Sequence, residues 1–253
     1  MGKKYIVANW KMNPVKLVEA KKILAALIKE AGSAKNIETE IIICPPFLWL
    51  SDLAAEFKNK KGLAFGAQNC HWELSGAYTG EISAAMLAET GAKYVILGHS
   101  ERRQFMGETD AIVNLKIKTV LKTELRPILC VGEKDGEEMN LVVEEQLNKD
   151  LMGLNVNQMK EMIIAYEPVW AIGSGRPCLS DNALSATLFI KRILTKLYSR
   201  FLAEKTPVLY GGSVEAKNAL DYIKIANMDG LLVGGASLEV EEFIKIIKQV
   251  CLF

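Results

Sequence analysis

Eight short apolar runs recur along this chain at intervals of roughly 30 residues, the length of one strand–helix–strand repeat. They are Ile6–Ala8, Ile41–Cys44, Leu63–Phe65, Tyr94–Leu97, Ile128–Val131, Met162–Ala165, Val208–Tyr210 and Leu231–Val233. Most are rich in β-branched residues and none alternates with polar ones, the pattern of strands buried on both faces of a parallel sheet. Helical patterns lie between them. Leu17, Ala20, Leu24, Leu27 and Ile28 fall on one predicted helical face, and Leu184, Leu188, Leu194, Leu197 and Phe201 on another. Thr109 and Ser180 are the predicted N-caps of two helices, and Gly32 and Gly91 sit where helices should stop. Parallel strands joined by right-handed crossovers allow an open doubly wound sheet or a closed barrel. Eight units in 253 residues favour the closed eight-stranded (β/α)8 barrel, expected as a single domain over residues 1–253, since no linker or low-complexity tract divides the chain.

Charge narrows the choice of ligand. Lys plus Arg number 31 and Asp plus Glu 30. That balance argues against a nucleic-acid or membrane-surface binder, both of which need a broad basic face. An anionic ligand must then be held by a local site. No apolar stretch approaches the ~18 residues of a membrane span, and Tyr5–Ala8 is too short for a signal-peptide core. The five cysteines (44, 70, 130, 178 and 251) are odd in number and form no Cys-x-x-Cys pair, so reduced thiols in the cytoplasm are expected, with no zinc site.

In a closed barrel the residues just beyond the strand C-termini meet at one rim, whatever their separation in sequence. Those positions hold Asn9 and Lys11 after the first strand, and His99, Ser100 and Glu101 after the fourth. Glu167 and the run Ala171–Gly175 follow the sixth, Gly211, Gly212 and Ser213 the seventh, Gly234 and Gly235 the eighth. Amides in such glycine-rich turns bind anions. A phosphorylated small molecule would place its phosphate over the last two turns and its reactive carbon near Glu167 and His99. Lys11 would neutralise charge between them.

Five motifs at these positions, Ala8–Asn13, Gly98–Arg103, Tyr166–Gly173, Tyr210–Val214 and Leu232–Leu238, resemble the triosephosphate isomerase family, in its order, from residue 5 to about residue 243. The resemblance implies a TIM barrel that interconverts dihydroxyacetone phosphate and D-glyceraldehyde 3-phosphate through an enediol(ate), a step of glycolysis and gluconeogenesis. It implies no cofactor and no metal. By the same resemblance Glu167 is the base, His99 the neutral electrophile, Lys11 the charge stabiliser and Asn9 a further hydrogen-bond donor, with Glu101 a supporting carboxylate near Lys11. Residues 168–176 form a lid whose Gly173 amide reaches the phosphate. Ser213, Gly234 and Gly235 supply the other phosphate donors, while Ile172 and Leu232 press on the substrate. The 70–80 loop implies a homodimer with Thr79 at the contact.

The chain departs from the family's usual text twice. Gly173-Ser174-Gly175-Arg176 replaces Gly-Thr-Gly-Lys and is followed by Pro177 and Cys178, and Lys134–Asn140 does not match, a departure expected to affect an outer helix start and not the rim. Two rivals stand beside this reading. A sugar-phosphate epimerase or lyase would carry other acid–base or Schiff-base groups. A non-catalytic barrel would lack one of the rim residues, and none is missing.

Overall fold

A computed structural model of the chain describes residues 2–31, 39–57 and 60–251. Eight parallel strands follow the eight apolar runs: β1 (Lys4–Asn9), β2 (Thr39–Cys44), β3 (Leu63–Ala67), β4 (Tyr94–Leu97), β5 (Arg126–Val131), β6 (Ile163–Tyr166), β7 (Val208–Tyr210) and β8 (Gly230–Val233). Each pairs with its sequence neighbour, and β8 closes on β1 through the register Tyr5↔Gly230 to Ala8↔Val233, making a closed barrel. Helices wrap the outside. They are α1 (Leu17–Ala31), α2 (Phe47–Ala54), α3 (Ala84–Glu89), α4 (Ser100–Phe105), α5 (Asp110–Val120), α6 (Met139–Asp150), α7 (Val156–Met159), α8 (Ser180–Leu197), α9 (Arg200–Lys205), α10 (Ala216–Lys224) and α11 (Val240–Cys251). Among the described residues no helix is long and apolar enough to cross a membrane.

The two-residue period of the strands sorts the apolar residues into two cores. Val7, Ile42, Ile96, Ile128, Cys130, Ile163, Ala165, Leu209 and Leu232 fill the barrel interior. Their neighbours, among them Ile6, Ile41, Ile43, Val95, Leu97, Leu129 and Ile164, face outward and pack under the helices. The same period carries the inner face past the strand ends. Asn9 follows Val7, Glu167 follows Ala165, Gly211 follows Leu209 and Gly234 follows Leu232, each two residues on and so aimed at the barrel axis. At the opposite mouth the Arg126 guanidinium lies 5.8 and 5.7 Å from the Tyr5 and Tyr94 rings, and the Tyr94 hydroxyl donates to Glu40, which closes that end with aromatic packing.

Two helix readings need correction. Thr109 caps α5, its side chain accepting from the Ile112 amide, but Ser180 is the first residue of α8, after a Leu179 that makes no side-chain cap. Gly91, with φ +86°, ends the α3 segment as expected. Gly32 lies outside the described residues. Ala20, Leu24 and Leu27 of α1 are buried, whereas Leu188 and Phe201 are 60% and 69% exposed. The buried face of α8 is Ala183, Ala186, Thr187, Ile190, Ile193 and Leu194, so of the predicted residues Leu194 is buried on it and Leu184 packs at its edge, while Phe201 belongs to the separate helix α9.

Candidate active site

The C-terminal mouth of the barrel encloses a cavity of about 260 Å³. Asn9, Lys11, His99, Glu167, Ile172, Gly173, Ser213, Leu232, Gly234 and Gly235 all line it. Glu101 does not, but its Oε1 holds Lys11 Nζ at 2.5 Å. Thr79 lies away from the cavity on an exposed loop. Gly211, Gly212, Val214, Glu215 and Ala236 also line the wall and were not singled out as binding residues. The first two were visible as part of a glycine turn; Glu215, an acid in an anion pocket, carried no signal. Its charge is offset by Lys217 at 2.6 Å, and it caps α10.

Local backbone shape aims each reactive group. Lys11 has φ +53°, a conformation an L-residue rarely adopts, held by its own N–H donating to Asn9 Oδ1 (3.1 Å) and by Gln68 Nε2 donating to its carbonyl (2.9 Å). With Oδ1 engaged, the remaining polar group of the Asn9 side chain is its NH2, a donor. Gly98, at φ +68°, turns the chain out of β4, so His99 caps α4 with its ring. The Glu101 amide donates to His99 Nδ1 at 3.2 Å. A nitrogen that accepts this bond carries no proton, which leaves the ring N–H on Nε2, the nitrogen 3.3 Å from Glu167 Oε1. Glu167 is 1% exposed; the Ser100 amide donates to its Oε2 at 3.1 Å, and Oε1 has no hydrogen-bond partner.

Backbone packing holds Glu167 in place. Its N–H donates to the Val131 carbonyl at 2.8 Å. A Cβ on Gly132 would stand 1.8 Å from the Glu167 carbonyl oxygen, so only glycine allows β5 and β6 to approach this closely. Gly132→Ala should therefore destabilise the fold by about 3 kcal/mol, the upper end of ordinary overpacking, and a thermal melt should show a clearly lowered midpoint together with lost activity.

The anion end is built from turns. Gly235 and Ala236 open a single helical turn whose first internal bond runs from the Ser237 amide to the Gly234 carbonyl (2.8 Å), which leaves the first amides of the turn to a ligand. Gly234 presents no side chain, and a Cβ there would meet Lys11 Cε at 3.5 Å. Opposite lies the segment expected to be a lid. Glu133, which drew no attention in the sequence, anchors its start. The Glu133 carbonyl accepts the Val169 amide (2.9 Å), and its carboxylate accepts from Trp170 Nε1 (2.7 Å) and the Tyr166 hydroxyl (3.2 Å). Burial raises the Glu133 carboxyl above its ordinary range. Gly173 and Gly175 turn the tip at φ +65° and +70°, and Ser174 donates to the Ala171 carbonyl. The 134–140 segment does reach the rim, contrary to expectation: Lys134 and Glu137 line a neighbouring cavity that also touches Ser100 and Glu167.

Beneath His99, Arg103 braces four elements. It donates to the Gly98 carbonyl (2.7 Å), Asp110 (2.5 Å), the fully buried Asp150 of α6 (2.7 Å) and the Cys130 carbonyl (3.4 Å). Burial raises the Asp150 carboxyl to about 7 against the pull of Arg103, and nearby Asp110 adds to the rise. A carboxyl that holds its proton to higher pH when folded contributes fully below its unfolded range, and that contribution is lost as pH rises from about 4 to about 7. The melting midpoint should accordingly fall more between pH 5 and pH 8 in the parent chain than in Asp150→Asn, measured by calorimetry.

This geometry accompanies a close match to known proteins. The family model described as triosephosphate isomerase matches residues 4–250. The chain is 45% identical to the triosephosphate isomerase of Carboxydothermus hydrogenoformans, covering 98% of this chain and 99% of that protein. It is 44% identical to that of Endomicrobium trichonymphae and 41% to that of Alkaliphilus oremlandii, with the same coverage in both cases. The chain belongs to the triosephosphate isomerase family. Like other members of that family it is a TIM-barrel isomerase of glycolysis, and the triosephosphate isomerase motifs of the sequence occupy the cavity wall.

Proposed function

We propose that Glu167, His99 and Lys11 carry out the interconversion of dihydroxyacetone phosphate and D-glyceraldehyde 3-phosphate, the reaction of the family to which this chain belongs. The reading is carried by one observation: base, imidazole, ammonium and glycine-turn amides from five distant stretches of sequence share one 260 Å³ cavity. The phosphate sits over Gly173, Ser213, Gly234 and Gly235, which leaves the three-carbon body between Glu167 and His99. Glu167 Oε1, the oxygen without a partner, takes the proton from the carbon beside the carbonyl. His99 Nε2–H donates to the carbonyl oxygen as it gains charge, and Lys11 and Asn9 offset that charge. Returning the proton to the adjacent carbon completes the isomerisation. The lid, residues 168–176, closes with Ile172 over the ligand, while Leu232 packs from below; water is kept out while the enediolate exists. Glu101 positions Lys11. A coupled assay with glyceraldehyde 3-phosphate, run with no added metal and no nicotinamide on the isomerising side, tests the reading; absence of turnover would overturn it.

The chain is a single barrel domain, works in the cytoplasm and forms a homodimer. Support for the dimer comes from exposed apolar surface beside the site: Met12 and Val15 are 89% and 81% exposed, next to Lys11, and Leu74 and Tyr78 stand out on the loop that carries Thr79. Sedimentation should give twice the 28.0 kDa chain mass, and Thr79→Arg should shift it toward the monomer.

A further inference from the structure

Just past the C-terminal side of the lid, Cys178 is held by two stacked tyrosines, one of which, Tyr222, lies outside every motif. The Cys178 amide donates to the Tyr210 hydroxyl at 3.2 Å. The Tyr210 ring in turn lies flat against the Tyr222 ring. The Tyr222 hydroxyl donates to the Cys178 carbonyl at 2.8 Å, so one backbone residue is gripped through both its N–H and its C=O. The two phenol rings stack at 3.6 Å between centroids and 15° between planes, and Tyr222 is 1% exposed. A Cβ on Gly212 would stand 2.4 Å from the Tyr210 hydroxyl and 3.3 Å from Pro168 Cγ, so the pair also sits close to the first lid residue. Tyr222 belongs to α10, the helix that follows the phosphate turn at Ser213.

We propose that Tyr222 is a positioning residue of the isomerase: through Cys178 and Tyr210 it fixes the C-terminal hinge of the lid to the helix behind the phosphate turn. The inference rests on reading residues 168–176 as a lid. The two hydrogen bonds fix both backbone polar groups of Cys178, and the ring stack holds their two phenols in one orientation. The structural consequence is a hinge that pivots about Cys178 instead of sliding. A lid held there keeps the enediolate enclosed for its whole life. Released early, that intermediate eliminates phosphate: its electron pair forms the new C=C bond, the C3–O bond to phosphate breaks, inorganic phosphate leaves, and the enol left behind tautomerises to methylglyoxal.

The test is the amount of inorganic phosphate released per isomerisation turnover from dihydroxyacetone phosphate, corrected for the enzyme-free reaction. Both products come from the same intermediate, so the ratio does not depend on how much protein is folded. Tyr222→Phe keeps the ring stack and removes the hydroxyl; the ratio should rise by about threefold to tenfold, the scale of one lost hydrogen bond. Tyr222→Leu, which also removes the stack, should raise it further. Ratios equal to the parent value in both variants would overturn the role of Tyr222. Gly173→Pro, at the lid tip, serves as the control and should raise the ratio with Tyr222 intact. No rise in that control would instead overturn the lid reading.

Discussion

Glu167→Gln should lower kcat by on the order of 10²–10⁴, the share of a well-placed general base. The substitution keeps the size of the side chain and one acceptor oxygen, so the Ser100 amide retains a partner in the glutamine carbonyl oxygen and the fold is unaffected. What is lost is an oxygen that can take a proton. Phosphate-bearing inhibitors should still bind, because the glycine turns that hold the anion lie on β7 and β8 and the lid. Steady-state kinetics paired with inhibitor titration separates these effects. A correctly folded variant with near-normal turnover would remove Glu167 from the mechanism.

Lys11→Met should cost on the order of 10²–10³ in kcat, the scale reported for deleting one preorganised group that stabilises developing charge. It should also raise KM, since the ammonium serves bound phosphate as well as the enediolate. The unbranched apolar stem of the side chain is kept, one atom shorter, while the charge is removed. The backbone at φ +53° must still be adopted, so Gln68 and Asn9 continue to hold the turn and the melting midpoint should change little. Glu101 then loses its partner at 2.5 Å, but that carboxylate is 43% exposed and water can solvate it. A fall in kcat with an unchanged melt is the signature of an electrostatic role; a collapse in stability with kcat unchanged would point to a structural one.

Much of this architecture was legible because a strand buried on both faces has no polar alternation to confuse it. All eight runs became strands, with β6 displaced by one residue because Tyr166 continues its ladder to Tyr210 while Met162 lies before it. The rim residues were legible for a related reason: their place after a strand end determines their position in space. Helix faces were harder. In α8 the exposed Leu188 and the buried Ala186 contradict simple hydrophobic weighting, because which helical face is buried is set by what the helix packs against and not by which side chains are most apolar. Glu133 and Tyr222 left no trace in the sequence, and Arg103 stood there only as the end of a motif, with no role attached. Their importance lies in contacts with residues 35 or more positions away, such as Trp170, Asp150 and Cys178, and no periodicity encodes such pairs.

The convergence of distant stretches on one mouth is tested most directly by a crystal structure of the chain with dihydroxyacetone phosphate bound. The expected result is phosphate oxygens on the amides of Gly173, Gly234 and Gly235, the carbonyl oxygen within hydrogen-bond reach of His99 Nε2, and a Glu167 oxygen facing the reacting carbon. A ligand seated outside this cavity, or one with its carbonyl turned away from both His99 and Glu167, would contradict it.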